Sequence, residues 1–124
     1  MAKQPETKFK EKVQKDLSNL EECWFVKICQ TSVRGIPDFL ICYKGFFVAL
    51  ELKMDIKKAR NRLQDWTLQC ISDCGGISFI ATPNNWKNTL EAIESIGEEL
   101  EEIEEILYEQ EGDEIYCFGN KTKH

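Results

Sequence analysis

The chain has 124 residues, 42% hydrophobic and 31% charged, a balance that fits one folded domain and excludes a disordered or membrane-embedded protein. Its one histidine is His124, the last residue, which argues against Ser-His-Asp hydrolases, histidine-metal nucleases and most catalytic zinc sites. Any catalysis must rest on carboxylates, lysines and metal ions. The net charge of -6 is unevenly placed. Twelve of the 22 acids lie in residues 91–114, which hold no Lys or Arg, and of the 16 bases only Lys121 and Lys123 lie beyond. Residues 1–90 thus carry ten acids against fourteen bases, a net +4 beside a -12 segment. With such segregation the overall charge says little about partners.

In chain order, residues 5–22 read as a helix, with Phe9, Val13, Leu17 and Leu20 three or four apart. Residues 24–30 read as a strand and 31–34 as a polar connection. Two β-rich runs, 38–43 and 46–53, flank Lys44-Gly45, a two-residue hairpin turn. A basic loop covers 54–60. A helix over 61–73 follows, stopped by Gly75-Gly76, with Leu63, Trp66, Cys70, Ile71 and Cys74 as its core stripe. Residues 77–82 form a short buried strand, 86–110 a long acidic helix, and 115–118 an edge strand or nothing regular. The order αβββαβα gives helices to cover both faces of a mixed sheet. The six cysteines contain no CxxC pair and read as reduced small hydrophobes. The polar N-terminus has no apolar signal-peptide core, so a cytoplasmic location without membrane partners is expected.

The hairpin carries the chemistry. With Tyr43 facing Phe46, Asp38 lands opposite Glu51, and facing residues have Cβ atoms ~4.5–5.5 Å apart on one side of the sheet. Lys53, two residues on, points to that same side. Both strands are otherwise apolar on both faces, the mark of burial. Asp beside Glu there is costly, and a divalent cation bound by both carboxylates removes the cost. Equally open on geometry is a solvated strand end where Lys53 neutralises Glu51.

Gly35-Ile36-Pro37-Asp38 followed by Glu51-Leu52-Lys53 resembles the PD-(D/E)xK nuclease motif, and the chain more closely resembles the VRR-NUC branch of that superfamily, which includes phage and bacterial Holliday-junction resolvases. The resemblance spans residues 5–86. It implies an α/β, restriction-endonuclease-like core (αβββαβ, a mixed central sheet flanked by helices) over residues 1–90. Residues 91–124 would be an acidic helical extension, part of the same compact domain or a dimerisation element. It implies an Mg²⁺- or Mn²⁺-dependent DNA endonuclease with one or two ions, acting on duplex or branched DNA in a bacterial cytoplasm or phage-infected host. Asp38 and Glu51 would hold metal, with the Leu52 carbonyl as a further ligand. Lys53 would orient or help deprotonate the attacking water, or stabilise the transition state.

The family also places an acid on the first helix. Taking Phe9 as zero on a helical wheel, the apolar stripe centres near ~35°, Glu6 near ~60° and Glu11 near ~200°, which selects Glu6. A glutamine at the start of the helix after ExK matches Gln64, which also suits a capping box with Asn61. For DNA contact, Lys57, Lys58, Arg60 and Arg62 follow the motif and Arg34 precedes it; a merely solvated loop is the plainer reading of the run. No base-reading module is evident, so selectivity would be for DNA shape. In the acidic segment Ile93, Ile96, Leu100, Ile103 and Leu107 form a seam that either packs on the chain's own sheet or pairs with a second subunit. Its glutamate side would approach a neighbour's basic patch or rival DNA for it. Symmetric cutting of two strands would call for a homodimer.

Overall fold

The computed structural model describes residues 3–29, 34–55, 62–97 and 115–118. Its elements are α1 (Pro5–Ser18), β1 (Cys23–Lys27), β2 (Phe39–Tyr43), β3 (Phe46–Leu52), α2 (Arg62–Asp73), β4 (Ile77–Ala81), α3 (Trp86–Glu94) and β5 (Tyr116–Phe118). The protein is α/β, with one five-stranded mixed sheet in the order β1-β2-β3-β4-β5. Only β3 and β4 run parallel, joined through α2 as a βαβ crossover. No helix among the described residues is long and apolar enough to cross a membrane.

One face of the sheet carries the main core. Phe9, Val13 and Leu17 of α1 pack there with Phe39, Ile41, Val48, Leu50 and Phe79, and Trp86 and Ile93 of α3 complete it. The Trp86 indole N–H donates to Asp16 Oδ2 at 2.8 Å, pinning α3 to α1. On the other face α2 covers the β3–β4 half, burying Ala49, Leu68 and Ile80.

The turn between β2 and β3 explains their register. Lys44 and Gly45 both have positive φ, 52° and 88°, the primed turn whose twist matches the flanking strands. Gly35 has φ +79°, and a Cβ built there would stand 2.8 Å from Leu63 Cγ and 3.2 Å from the Leu63 carbonyl oxygen. Gly35→Ala is therefore expected to lose about 1–3 kcal/mol of stability, checked by chemical denaturation; a change under ~0.5 kcal/mol would contradict it.

Several expected boundaries are corrected. α1 stops at Ser18 rather than residue 22. Ser18 Oγ donates to the Lys15 carbonyl at 2.8 Å and the Asn19 N–H to Asp16 O at 3.2 Å, local bonds that compete with helix continuation. β1 ends at Lys27, although the Ile28 N–H still donates to the Asp38 carbonyl at 2.8 Å. The acidic helix ends at Glu94, because Ser95 Oγ turns back to the Glu91 carbonyl at 2.9 Å and Gly97 takes φ +98°, the glycine stop of a helix C-terminus. Residues 98–110 of that expected helix lie outside the described residues. Of its seam, Ile93 and Ile96 are buried in the chain's own core; Leu100, Ile103 and Leu107 are outside the description. β5 is an edge strand antiparallel to β4.

The hairpin strands are not covered on both faces: Cys42, Phe46 and Phe47 are exposed. Of the expected Leu63–Cys74 stripe, Ile71 packs against the core, but the stripe as a whole does not face it. Leu63 and Trp66 are 40% and 64% exposed, because α2 turns Leu68 and Ser72 to the sheet, with Ser78 Oγ donating to the Leu68 carbonyl at 3.1 Å. Cys29, Cys42 and Cys74 are exposed rather than packed.

Candidate active site

The β2–β3 ladder pairs Phe39 with Leu50 and Tyr43 with Phe46, so one further step sets Asp38 opposite Glu51. At this end, where the regular ladder stops, the two carboxylates take over its hydrogen bonds. The Leu52 N–H donates to Asp38 Oδ2 at 2.8 Å, and the Asp38 N–H donates to Glu51 Oε1 at 3.2 Å. Each acid thus clasps the backbone of the opposing strand. Pro37, buried just before Asp38, lacks an N–H and fixes its own φ, which stiffens the approach.

Lys53 joins them from the end of β3. Its N–H donates to the Ala81 carbonyl at 2.9 Å, extending the parallel pairing with β4 by one residue. Its ammonium lies 3.3 Å from Glu51 Oε2 and donates to Gln64 Oε1 of α2 at 2.7 Å. Gln64 therefore reaches the lysine directly, whereas the capping partner Asn61 lies outside the described residues. A residue of the first turn of α2 thus stands beside the end of β3.

Burial sets the electrostatics. Glu51 is 3% exposed, and its carboxyl is raised to about 7. Desolvation is the main cause, then the charge of Asp38, with Lys53 opposing. Near neutral pH the pair therefore hovers between one and two negative charges, with a single ammonium beside it.

The first helix supplies the outer wall. Glu6, Phe9 and Lys10 of α1 and Leu52, Lys53 and Met54 line a small cleft that opens to solvent. Glu6 stands at its rim, the side chain 68% exposed and 3.7 Å from Lys10 Nζ. Glu11 lies away from it, paired with Lys3 at 2.8 Å. Sequence reasoning passed over Lys10, whose side chain is partly sheltered, 30% exposed, in the same cleft. The signal was available, since the same wheel sets Lys10 only ~40° from Glu6.

Of the basic residues, Arg34 is exposed at the entry to the Gly35–Asp38 turn. Lys57, Lys58 and Arg60 lie outside the described residues, and Arg62 is placed only as the first residue of α2.

The donor set brought together is all oxygen, the two carboxylates of Asp38 and Glu51; Glu6 borders the neighbouring cleft, which neither of them lines. That chemistry suits a hard divalent cation, which would offset the burial and the neighbouring charge that raise Glu51. Among the described residues no cluster of three or more His, Cys, Asp or Glu side chains is drawn together as a metal cage. A magnesium-type site does not require one, because such ions keep several waters and take one or two carboxylates plus substrate oxygens. The residues present fit the ion. Compared with protein-family models, curated proteins and solved structures, the chain matches none.

Proposed function

We propose that this chain is an Mg²⁺- or Mn²⁺-dependent DNA endonuclease of the PD-(D/E)xK type, with a restriction-endonuclease-like core. The observation that carries the reading is the convergence of Asp38, Glu51 and Lys53 at the end of one hairpin. Buried Glu51 and half-buried Asp38 each accept a backbone N–H of the opposing strand there, and the lysine is held against both Glu51 and Gln64.

Asp38 and Glu51 would hold the ion, aided by the Leu52 carbonyl and by Glu6 at the rim. When bound, it supplies charge neutralisation at the phosphate and a more acidic water. Lys53 is the one ammonium within salt-bridge range of Glu51 among the described residues. It is set to hold the attacking water or to meet charge developing on the phosphate oxygens. Gln64 keeps that ammonium from folding wholly onto Glu51 by competing for it. Lys10 and Arg34 would add positive charge on the approach, and with no base-reading module evident in the sequence, recognition would be by DNA shape.

Removing the charge at Lys10 tests the approach. Lys10→Ala is expected to weaken duplex binding and to lower the slope of log affinity against log salt by about 0.9, read by fluorescence anisotropy across a salt series; an unchanged slope would contradict it. The reaction itself is tested by incubating supercoiled plasmid, linear duplex and a four-way junction with Mg²⁺, Mn²⁺ or EDTA. Cutting that requires metal and disappears in Asp38→Ala supports the reading. Preference for the junction marks a resolvase-like enzyme, and plasmid nicking or site-restricted cuts mark another specificity. Binding without cutting under every metal would make the chain a nucleic-acid-binding module.

A further inference from the structure

The turn that follows β4 carries a buried polar group that the proposed reaction does not use. Asn85 is 1% exposed, and Thr82 and Thr89 are buried with it. Its Oδ1 accepts the Thr82 N–H at 2.8 Å and the Thr89 hydroxyl at 3.2 Å, while Nδ2 donates to the Ile80 carbonyl at 3.4 Å. Thr82 Oγ1 accepts the Asn85 N–H in return at 3.2 Å, the reciprocal pattern of a capping box, here just ahead of α3. The bonds of Asn85 go further than a cap requires, because they bracket Ala81 from both sides.

We propose that Asn85 is a positioning residue for Lys53. Its catalytic consequence rests on the reaction proposed above; the positioning itself rests on the hydrogen bonds. One peptide group links the two residues. The Ala81–Thr82 unit is planar. Its N–H donates to Asn85 Oδ1, and its carbonyl accepts the Lys53 N–H at 2.9 Å. A peptide polarised by a bond at one end binds more firmly at the other. Lys53 lies one residue past the last β3–β4 pair, Leu52 with Ala81, and Ile80, which accepts from Asn85 Nδ2, is the register partner of Glu51. Asn85 therefore grips the stretch of β4 against which Glu51, Leu52 and Lys53 are laid. From that backbone the Lys53 ammonium reaches Glu51 Oε2 at 3.3 Å and Gln64 Oε1 at 2.7 Å. A small displacement of the strand end would misplace it against both, and reaction rates are sensitive to such shifts.

The test uses the full chain and begins with hydrogen exchange read by NMR, which needs no cutting. In the wild type the Lys53 amide should exchange at least about 100-fold more slowly than in an open chain. Asn85→Ala should speed it at least about tenfold more than it speeds the Leu50 and Phe79 amides inside the sheet. Thr82→Val removes the hydroxyl half of the cap but keeps the peptide link, so the Lys53 amide should keep its wild-type protection relative to those two. Asn85→Ser takes the place of Asn85→Ala if that variant fails to fold. A freely exchanging Lys53 amide in the wild type would overturn the proposal, as would an equal loss of protection at all three amides. With duplex DNA, Asn85→Ala should lower the single-turnover cleavage rate about tenfold while changing affinity in Ca²⁺ less than about threefold. In the Lys53→Met background it should cost nothing further. Additive losses would overturn the catalytic link and leave Asn85 a cap alone. A wild type that cuts no DNA under any metal would end the nuclease reading, and the exchange rates would still decide whether Asn85 positions Lys53.

Discussion

Glu51→Gln is expected to abolish cleavage, by about 10³-fold, and at the same time to stabilise the metal-free protein at pH 8. The activity loss follows from removing one of two carboxylates that would hold the ion, several kcal/mol of transition-state stabilisation at about 1.4 kcal/mol per decade. The stability gain follows from burial. The folded Glu51 carboxyl titrates near 7, above its ordinary 4.5. Its protonated form thus contributes stability that is complete below about pH 4.5 and is lost as the pH rises through 7. Gln keeps the neutral form at every pH. The variant should match the wild type near pH 4 and exceed it by about 1–3 kcal/mol at pH 8, measured by urea denaturation in EDTA. A variant less stable than wild type at pH 8, or one that still cuts, would contradict this account of the site.

Lys53→Met is expected to lower the single-turnover cleavage rate by about 10²–10⁴ while changing DNA affinity less than about threefold. Met preserves most of the buried stem and removes only the ammonium. The variant should fold, because Glu51, deprived of its opposing cation, takes up a proton more readily rather than standing as an unpaired buried charge. Rates at saturating enzyme, set beside anisotropy in Ca²⁺, separate the two effects. If the whole loss appears as weaker binding, Lys53 is a phosphate anchor and not part of the reacting centre.

Sequence patterning reached the hairpin because its determinants are local. Lys44-Gly45 dictates the primed turn, the turn dictates the register, and the register brings positions 38 and 51 together. The order of elements through α3 was legible for the same reason, from period and punctuation. What remained hidden was tertiary. The rotation of α2 follows from how Leu68 and Ser72 meet β4, and the apolar spacing of Leu63, Trp66 and Cys70 suggested the wrong side. Apolar strands implied two covered faces, yet a single crossover helix is wide enough for only half of one. Gly97 was an available stop signal within an otherwise unbroken acidic periodicity. Lys10 was legible on the wheel but outweighed there by the search for an acid.

If Asp38 and Glu51 share a divalent cation, electron paramagnetic resonance of Mn²⁺ will register its uptake. Titrated into the wild-type chain, with and without duplex DNA, the free-ion signal should fall as one or two ions bind. Affinity should rise with pH through about 7 as Glu51 gives up its proton, and competing Mg²⁺ should restore the signal. In Asp38→Ala and Glu51→Gln the loss of free-ion signal should be largely abolished. A free-ion signal that ignores the protein, or one that falls equally in both variants, would contradict the account.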